Sequence, residues 1–121
     1  MQSNDNIQSK ELAKTIYGIL DDKKAENIKV LKVREQTSIT DYFVIANGTS
    51  TTHLKALSDS VSEKLAEYDV HYTRQEGYPQ GNWIVMDYNT VIVHIFLRDT
   101  RDFYKLEKLW SEGTDVDVNE I

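Results

Sequence analysis

The sequence has no cysteine, a single proline and no long hydrophobic run. Without cysteine it can form no disulfide framework, no thiolate nucleophile and no Cys-ligated zinc or iron–sulfur site. The longest nearly continuous apolar stretches, such as residues 42–46, are far shorter than the ~20 residues that a membrane-spanning helix needs. The first residues also lack the basic and apolar regions of a signal peptide. These absences predict a cytoplasmic protein.

Basic residues are also in the minority. Fourteen Lys and Arg stand against twenty Asp and Glu, which gives a net charge of −6. Proteins that bind nucleic acid usually neutralise phosphates with clustered basic side chains. The densest basic stretch, residues 23–34, is interrupted by Glu26 and by an apolar alternation, which indicates the solvated face of a short strand. The charge balance therefore weighs against direct binding of DNA or RNA.

Length and hydrophobic periodicity predict one α/β (α+β) domain over residues 1–110, followed by a mobile acidic tail at 111–121. The predicted order is α-β-β-α-β-β-β-α, a mixed five-stranded sheet flanked by helices. Residues 1–8 are expected to be frayed, and Thr49, Ser50 or Thr51 is expected to cap the second helix. The helices are predicted at 9–24, 51–68 and 101–110, and the strands at 28–33, 42–46, 70–73, 83–88 and 91–97.

Residues 83–97 carry the most specific structural prediction. A two-residue turn at Asn89 and Thr90 would pair the flanking strands antiparallel. One face of this hairpin would then be wholly apolar and would have to be covered by helices; it comprises Ile84, Met86, Tyr88, Val91, Val93 and Ile95. The opposite face would pair Trp83 with Phe96, Val85 with His94, and Asp87 with Ile92.

This second face has two interpretations. If one of the three predicted helices covers it, His94 is a core histidine. If it stays uncovered, it is a surface for a partner protein, with Trp83 and Phe96 as anchors, because exposed apolar patches with aromatic residues mark interfaces. The sequence leaves both open. A shift of one residue in the register would exchange the composition of the two faces.

The last predicted helix shows the same ambiguity on a smaller scale. Phe103, Leu106 and Trp110 follow helical spacing and are expected to pack inward. Tyr104 lies on a neighbouring face among basic residues. It is a candidate for the rim of a contact surface.

The histidines offer no metal site by their spacing. His53, His71 and His94 form neither an HxxxH nor an HxH pair. Each is interpreted as a structural or solvated residue. We therefore expect no metal and no cofactor.

The turn at residues 47–50, Asn-Gly-Thr-Ser, follows a strand and opens a helix, where backbone N–H groups can bind an anion. It is similar to the Gly-Ser turn of nucleotidyltransferases. Those enzymes need an Asp-x-Asp pair soon afterwards to hold divalent metal, and none follows here. We therefore predict a non-catalytic domain. The enzymatic alternative is a minimal nucleotidyltransferase that uses Asp41 or Asp87 with magnesium.

Five motifs stand in a defined order and spacing along the chain. They are SITDYFVI at 38–45, NGTS at 47–50, EG at 76–77 followed by WIVMD at 83–87, VIVHIF at 91–96, and RDFYKLEKLW at 101–110. As an ordered set they closely resemble the ribosomal silencing factor, or iojap-like, family. The resemblance covers residues 8–110 and leaves the 111–121 tail outside it.

The resemblance implies a nucleotidyltransferase-like fold without the catalytic carboxylates, in a bacterial-type cytoplasmic factor. It implies binding to protein fourteen of the large ribosomal subunit, which blocks association with the small subunit and represses translation under nutrient limitation. It also implies a homodimer that binds neither DNA nor membranes. The positions that it assigns to partner contact are Trp83, Val85, Asp87, His94, Phe96 and Tyr104. The same face could instead serve an interaction module for a non-ribosomal partner.

Overall fold

The computed structural model describes the backbone of residues 2–32, 40–98 and 114–115, and the side chains of 9–32 and 40–98. These residues form two helices and a mixed six-stranded sheet. In chain order the elements are α1 (Gln2–Asp22), β1 (Glu26–Lys32), β2 (Tyr42–Gly48), α2 (Thr51–Ala66), β3 (Arg74–Glu76), β4 (Trp83–Asp87), β5 (Val91–Leu97) and β6 (Thr114–Asp115).

The strands lie in the order β3-β4-β5-β2-β1-β6. β2 pairs with β5 in parallel, and every other neighbouring pair is antiparallel. All seven residues of β2 are buried, as its nearly continuous apolar run predicts for an interior strand. The predicted fold class, a mixed sheet flanked by helices, is confirmed.

Both helices pack on one face of the sheet. The buried positions of α1 recur at helical spacing as Ala13, Ile16 and Leu20. α2 begins after Ser50, whose Oγ accepts a 3.0 Å hydrogen bond from the backbone N–H of His53. That bond satisfies one of the N–H groups that the first turn leaves free, and it identifies Ser50 as the cap among the three candidates.

The end of α2 differs from the prediction. The helix ends at Ala66 instead of the predicted residue 68, and Tyr68 is 70% exposed. Asp69 takes a positive φ of 61°, and the N–H of Val70 donates to the carbonyl of Leu65. The chain therefore turns away from the helix axis here, which removes Tyr68 from the apolar stripe.

The third strand is also displaced. It was predicted at residues 70–73, whereas β3 is Arg74–Glu76. Its sequence is wholly polar because β3 is an edge strand that packs little against the core.

The start of the chain also differs from the prediction. α1 already begins at Gln2, within the segment at residues 1–8 that was expected to be frayed.

β6 was not predicted. Its two residues, Thr114 and Asp115, pair with Lys32 and Leu31 and lie in the acidic segment predicted to be a mobile tail. Two residues are too short for a periodic pattern, so no sequence signal marks them. The predicted helix at 101–110 and the end of the predicted first strand lie outside the described residues. Neither described helix is apolar over a length that could cross a membrane.

Candidate partner-binding site

The hairpin formed by β4 and β5 has the predicted register. Its turn is held by the N–H of Tyr88, which donates to the carbonyl of Val91 at 2.9 Å. Asn89 has a φ of 73°, and its N–H donates to Oδ1 of Asp87 at 2.8 Å. The observed pairs are Trp83 with Phe96, Ile84 with Ile95, Val85 with His94, Met86 with Val93, and Asp87 with Ile92. The prediction from the two-residue turn is confirmed.

The two faces of this hairpin belong to different clusters. The face predicted to be covered by helices is fully part of the main core, together with α1 and α2. The opposite face, which we call the aromatic face, runs across β1, β2, β5 and β4. It comprises Leu31, Phe43, Ile45, Trp83, Val85, Asp87, Ile92, His94 and Phe96.

Three rings on the aromatic face form a stack. The rings of Trp83 and Phe96 lie 5.0 Å apart at an angle of 22°, and those of Phe96 and His94 lie 6.3 Å apart at 13°. The indole Nε1–H of Trp83 donates to Nδ1 of His94 at 3.1 Å. Phe43 on β2 meets the His94 ring edge-on at 4.9 Å. These contacts hold the indole in one orientation.

His94 is a neutral histidine with one unused donor. Since Nδ1 accepts from Trp83, the ring proton belongs on Nε2. Burial lowers the pKa of His94 from 6.5 to about 4, so the ring is uncharged at neutral pH. Its Nε2 is buried and has no partner among the described residues. A buried donor without an acceptor costs about 1–3 kcal/mol.

Exposure on the aromatic face is uneven, and this corrects one expectation. Phe96 is fully buried and His94 is 7% exposed, so Phe96 is not an exposed anchor. Trp83, Val85 and Asp87 are half-buried and alternate along β4. β5 lies between two long strands, whereas β4 has only the three-residue β3 on its outer side. Tyr104 lies outside the described residues.

A short loop positions Trp83. Gly77 has a φ of 83°, and a Cβ at this position would collide with the carbonyl oxygen of Trp83. The next residue, Tyr78, donates from its hydroxyl to the carboxylate of Asp59 on α2 at 3.1 Å. The loop is therefore tied to α2. No pattern in the sequence predicts this tie.

The groups considered for anion binding or catalysis form hydrogen bonds within the protein. The backbone N–H of Thr49, in the proposed anion-binding turn, donates to Nδ1 of His53 at 3.0 Å. Nε2 of the same ring lies 2.9 Å from the carbonyl of Lys23, so His53 joins the end of α1 to the start of α2. Asp41 accepts from Ser9 Oγ at 2.6 Å. The described side chains contain no group of three His, Asp or Glu that could hold a metal ion.

Comparison with known proteins decides the family. A family model described as "Ribosomal silencing factor during starvation" matches residues 6–121. The chain belongs to the ribosomal silencing factor family. The resemblance over residues 8–110 is thereby confirmed, and the match continues through the acidic segment at 111–121.

Individual known proteins are similar to this chain over most of its length. The ribosomal silencing factor of Halalkalibacterium halodurans is 32% identical over 95% of this chain and 98% of its own. A crystal structure from Chromobacterium violaceum superposes with a TM-score of 0.81 at 34% identity, covering 88% of each chain. A mouse protein named "Mitochondrial assembly of ribosomal large subunit protein 1" is 33% identical over 88% of this chain and 48% of its own.

Proposed function

We propose that this protein binds the large ribosomal subunit through its protein fourteen and prevents the small subunit from joining, which represses translation when nutrients are limiting. Membership of the ribosomal silencing factor family supports a role on the ribosome. The name of the mouse relative supports the large subunit as the target. The proposed place of action is the bacterial cytoplasm, where subunits associate.

The observation that carries the proposed contact is the half-buried indole of Trp83, held by its stack on Phe96 and its bond to His94. A side chain already held in one orientation loses little conformational freedom on binding. Tryptophan is also among the residues that most often dominate the affinity of an interface. Trp83 is therefore proposed as the anchor.

The other positions then take different roles. Val85 and Asp87 lie on the same side of β4 as Trp83 and are half-buried, so they can touch a partner directly. Phe96 and His94 are buried beneath the indole and support it. Tyr104, which the family resemblance also assigns to the contact, stays a proposed rim residue.

Charge supports a protein component of the ribosome as the target. The chain carries a net charge of −6, and Asp87 lies on the proposed contact. Ribosomal proteins that contact RNA are generally basic, and opposite charges on two surfaces speed and orient their encounter. A negatively charged domain would be repelled by exposed rRNA.

The proposed mechanism is steric. Once docked on the face that the small subunit must meet, the folded domain occupies the space that the joined ribosome requires. Such a mechanism needs no chemical step. It requires only that the domain stays bound while subunits collide.

Sedimentation of separated ribosomal subunits with the purified protein tests this proposal. We expect the protein to migrate with the large subunit and to reduce the joined-ribosome peak when small subunits are added. The joined peak should return when Trp83→Ala replaces the wild type at equal concentration. A folded protein that stays at the top of the gradient would refute the proposal.

We also propose a homodimer, as the family resemblance implies. A dimer that used the aromatic face would have to open before it docked on the ribosome. Analytical ultracentrifugation of Trp83→Ala separates the two arrangements. A dimer that dissociates in this variant uses the aromatic face, whereas one that persists uses another surface.

A further inference from the structure

The edge strand β3 continues the side of the sheet that carries the aromatic face. Residues directly opposite each other in antiparallel strands place their side chains on the same side of the sheet. Arg74 lies opposite Asp87. Glu76 lies opposite Val85. Since Asp87 and Val85 belong to the aromatic face, the side chains of Arg74 and Glu76 lie beside it.

Side-chain contacts of β3 agree with this register. Gln75, between the two charged residues, donates from its Nε2 to Oγ of Ser58 on α2 at 2.9 Å. Its side chain therefore points to the helix-covered side. Nε of Arg74 lies 2.9 Å from Oε2 of Glu76, as expected for residues two apart on one side of a strand. We call Arg74, Glu76 and Asp87 the charged rim.

A partner that covers Trp83 reaches the charged rim as well. Strands that are neighbours in a sheet lie about 4.8 Å apart, and β3 pairs directly with β4, which carries Trp83. A specific interface buries roughly 800 Å² on each protein, which is a circular patch with a radius of roughly 16 Å. An interface centred on β4 therefore extends across β3.

The ion pair between Arg74 and Glu76 is open to exchange. The two side chains are 69% and 60% exposed. Water and salt weaken the attraction between exposed charges, so such a pair contributes little free energy. A second cation could therefore replace Arg74 beside Glu76 at small cost.

The balance of charge on the rim favours that cation. Arg74 stands between two carboxylates, since Glu76 contacts it along β3 and Asp87 lies directly across from it on β4. One guanidinium offsets only one of these two negative charges. An acidic group of a partner would be repelled here, whereas a basic group would be attracted.

We propose that Glu76 and Asp87 bind a basic side chain, a lysine or an arginine, of the large-subunit protein, and that Arg74 competes with it for Glu76 in the free protein. This inference rests on the proposed function, because it adds a rim to the same interface. Trp83 supplies most of the affinity. The charged rim selects a basic partner surface over an acidic one.

Cross-linking tests whether β3 lies in the contact. Because the chain has no cysteine, Arg74→Cys and Glu67→Cys each carry a single thiol for a benzophenone maleimide. Glu67 is exposed at the end of α2, on the helix-covered side of the sheet. After illumination with large subunits, we expect a cross-link to a ribosomal protein from residue 74 and little or none from residue 67.

Two cross-linking results would overturn the proposal. One is equal yield from the two positions. The other is the absence of a cross-link from residue 74 while the labelled protein sediments with the large subunit.

Affinity measurements test the competition. Glu76→Gln and Glu67→Gln form a matched pair, since each removes one exposed carboxylate charge from opposite sides of the sheet. We expect Glu76→Gln to weaken large-subunit binding about threefold and Glu67→Gln to leave it unchanged. Arg74→Gln should strengthen binding about twofold, because the competitor for Glu76 is lost.

Equilibrium sedimentation at constant low salt gives these affinities, and circular dichroism verifies that each variant is folded. Equal affinities of Glu76→Gln and Glu67→Gln would exclude the rim from the contact. Weaker binding of Arg74→Gln would show that Arg74 is a contact instead of a competitor.

The wild-type protein separates this inference from the proposed function. If the wild type does not sediment with the large subunit, both proposals fail. If the wild type binds but Glu76→Gln behaves like Glu67→Gln, only the charged rim fails.

Discussion

The two faces of the β4–β5 hairpin share a backbone but differ in what their side chains achieve. The helix-covered face is buried and, apart from the hydroxyl of Tyr88, apolar, so its side chains pack in the main core. The aromatic face holds a stack of three rings, a neutral histidine with an unused donor and a half-buried indole. The first face supplies stability. The second gives up some stability to keep polar and aromatic groups near the surface.

The largest expected difference between the faces is in the free energy of unfolding that is lost when a side chain is truncated. Ile95→Ala removes a fully buried side chain under the helices and should lower the free energy of unfolding by about 2–5 kcal/mol. Ile92→Ala, on the same strand but half-buried on the aromatic face, should cost less than half as much. Urea denaturation of both variants measures this. Equal losses would mean that the aromatic face contributes to stability as a full core does.

The next effect concerns pH. Below pH 6.5 the unfolded chain gains a proton on His94, whereas the folded protein gains it only near pH 4. The free energy of unfolding should therefore fall as the pH drops from 6.5 to about 4, by up to about 3 kcal/mol from this residue.

Urea denaturation across that pH range measures the decline for the wild type and for His94→Asn, whose side-chain oxygen can still accept from Trp83. We expect a smaller decline in this variant. His71→Asn, an exchange at an exposed histidine, is the control and should retain the wild-type decline. A wild-type slope in His94→Asn would show that His94 is not the group responsible.

Partner binding should depend mainly on the aromatic face. Trp83→Ala should weaken binding to the large subunit by more than about 1 kcal/mol, because the anchor of the proposed interface is lost. Tyr68→Ala, which removes an aromatic ring that is 70% exposed elsewhere, should leave the affinity unchanged. Equilibrium sedimentation of each folded variant gives the affinities. Equal affinity of Trp83→Ala and the wild type would place the contact elsewhere.

The smallest expected effect is electrostatic. Asp87→Asn keeps an oxygen that can accept from the N–H of Asn89, but it removes a negative charge from the aromatic face. We expect the affinity to fall by less than about 1 kcal/mol, mainly through slower association, and the difference to shrink at high salt. Association rates at two salt concentrations test this. A loss that salt does not change would exclude charge attraction as its cause.

Local patterns predicted a large part of this fold. The turn at Asn89 and Thr90 determined the hairpin register, and the apolar run of β2 identified an interior strand. Motif order led to the family, which the family model confirms. The failures are equally local in origin: β3 has a polar sequence, and β6 has only two residues, so neither carries a hydrophobic period.

The candidate site was predicted less completely. The sequence paired Trp83 with Phe96 and Val85 with His94, and that pairing is present. It did not indicate that the indole donates to His94 or that Phe96 is fully buried. Those properties depend on Phe43 and other side chains from β1 and β2, which are distant along the chain.

The sequence by itself determined which residues share a face, because side chains alternate along a strand and a two-residue turn sets which of them pair. Only the tertiary structure decided which residues on the aromatic face reach solvent. Tertiary packing leaves Trp83, Val85 and Asp87 half-buried on β4, beside the short β3, and on the interior strand β5 it buries His94 and Phe96 but not Ile92. The tertiary structure also leaves the hydroxyl of Tyr88 and Nε2 of His94 without hydrogen-bond partners among the described residues. Whether a buried polar atom finds a partner depends on packing between segments that are distant along the chain.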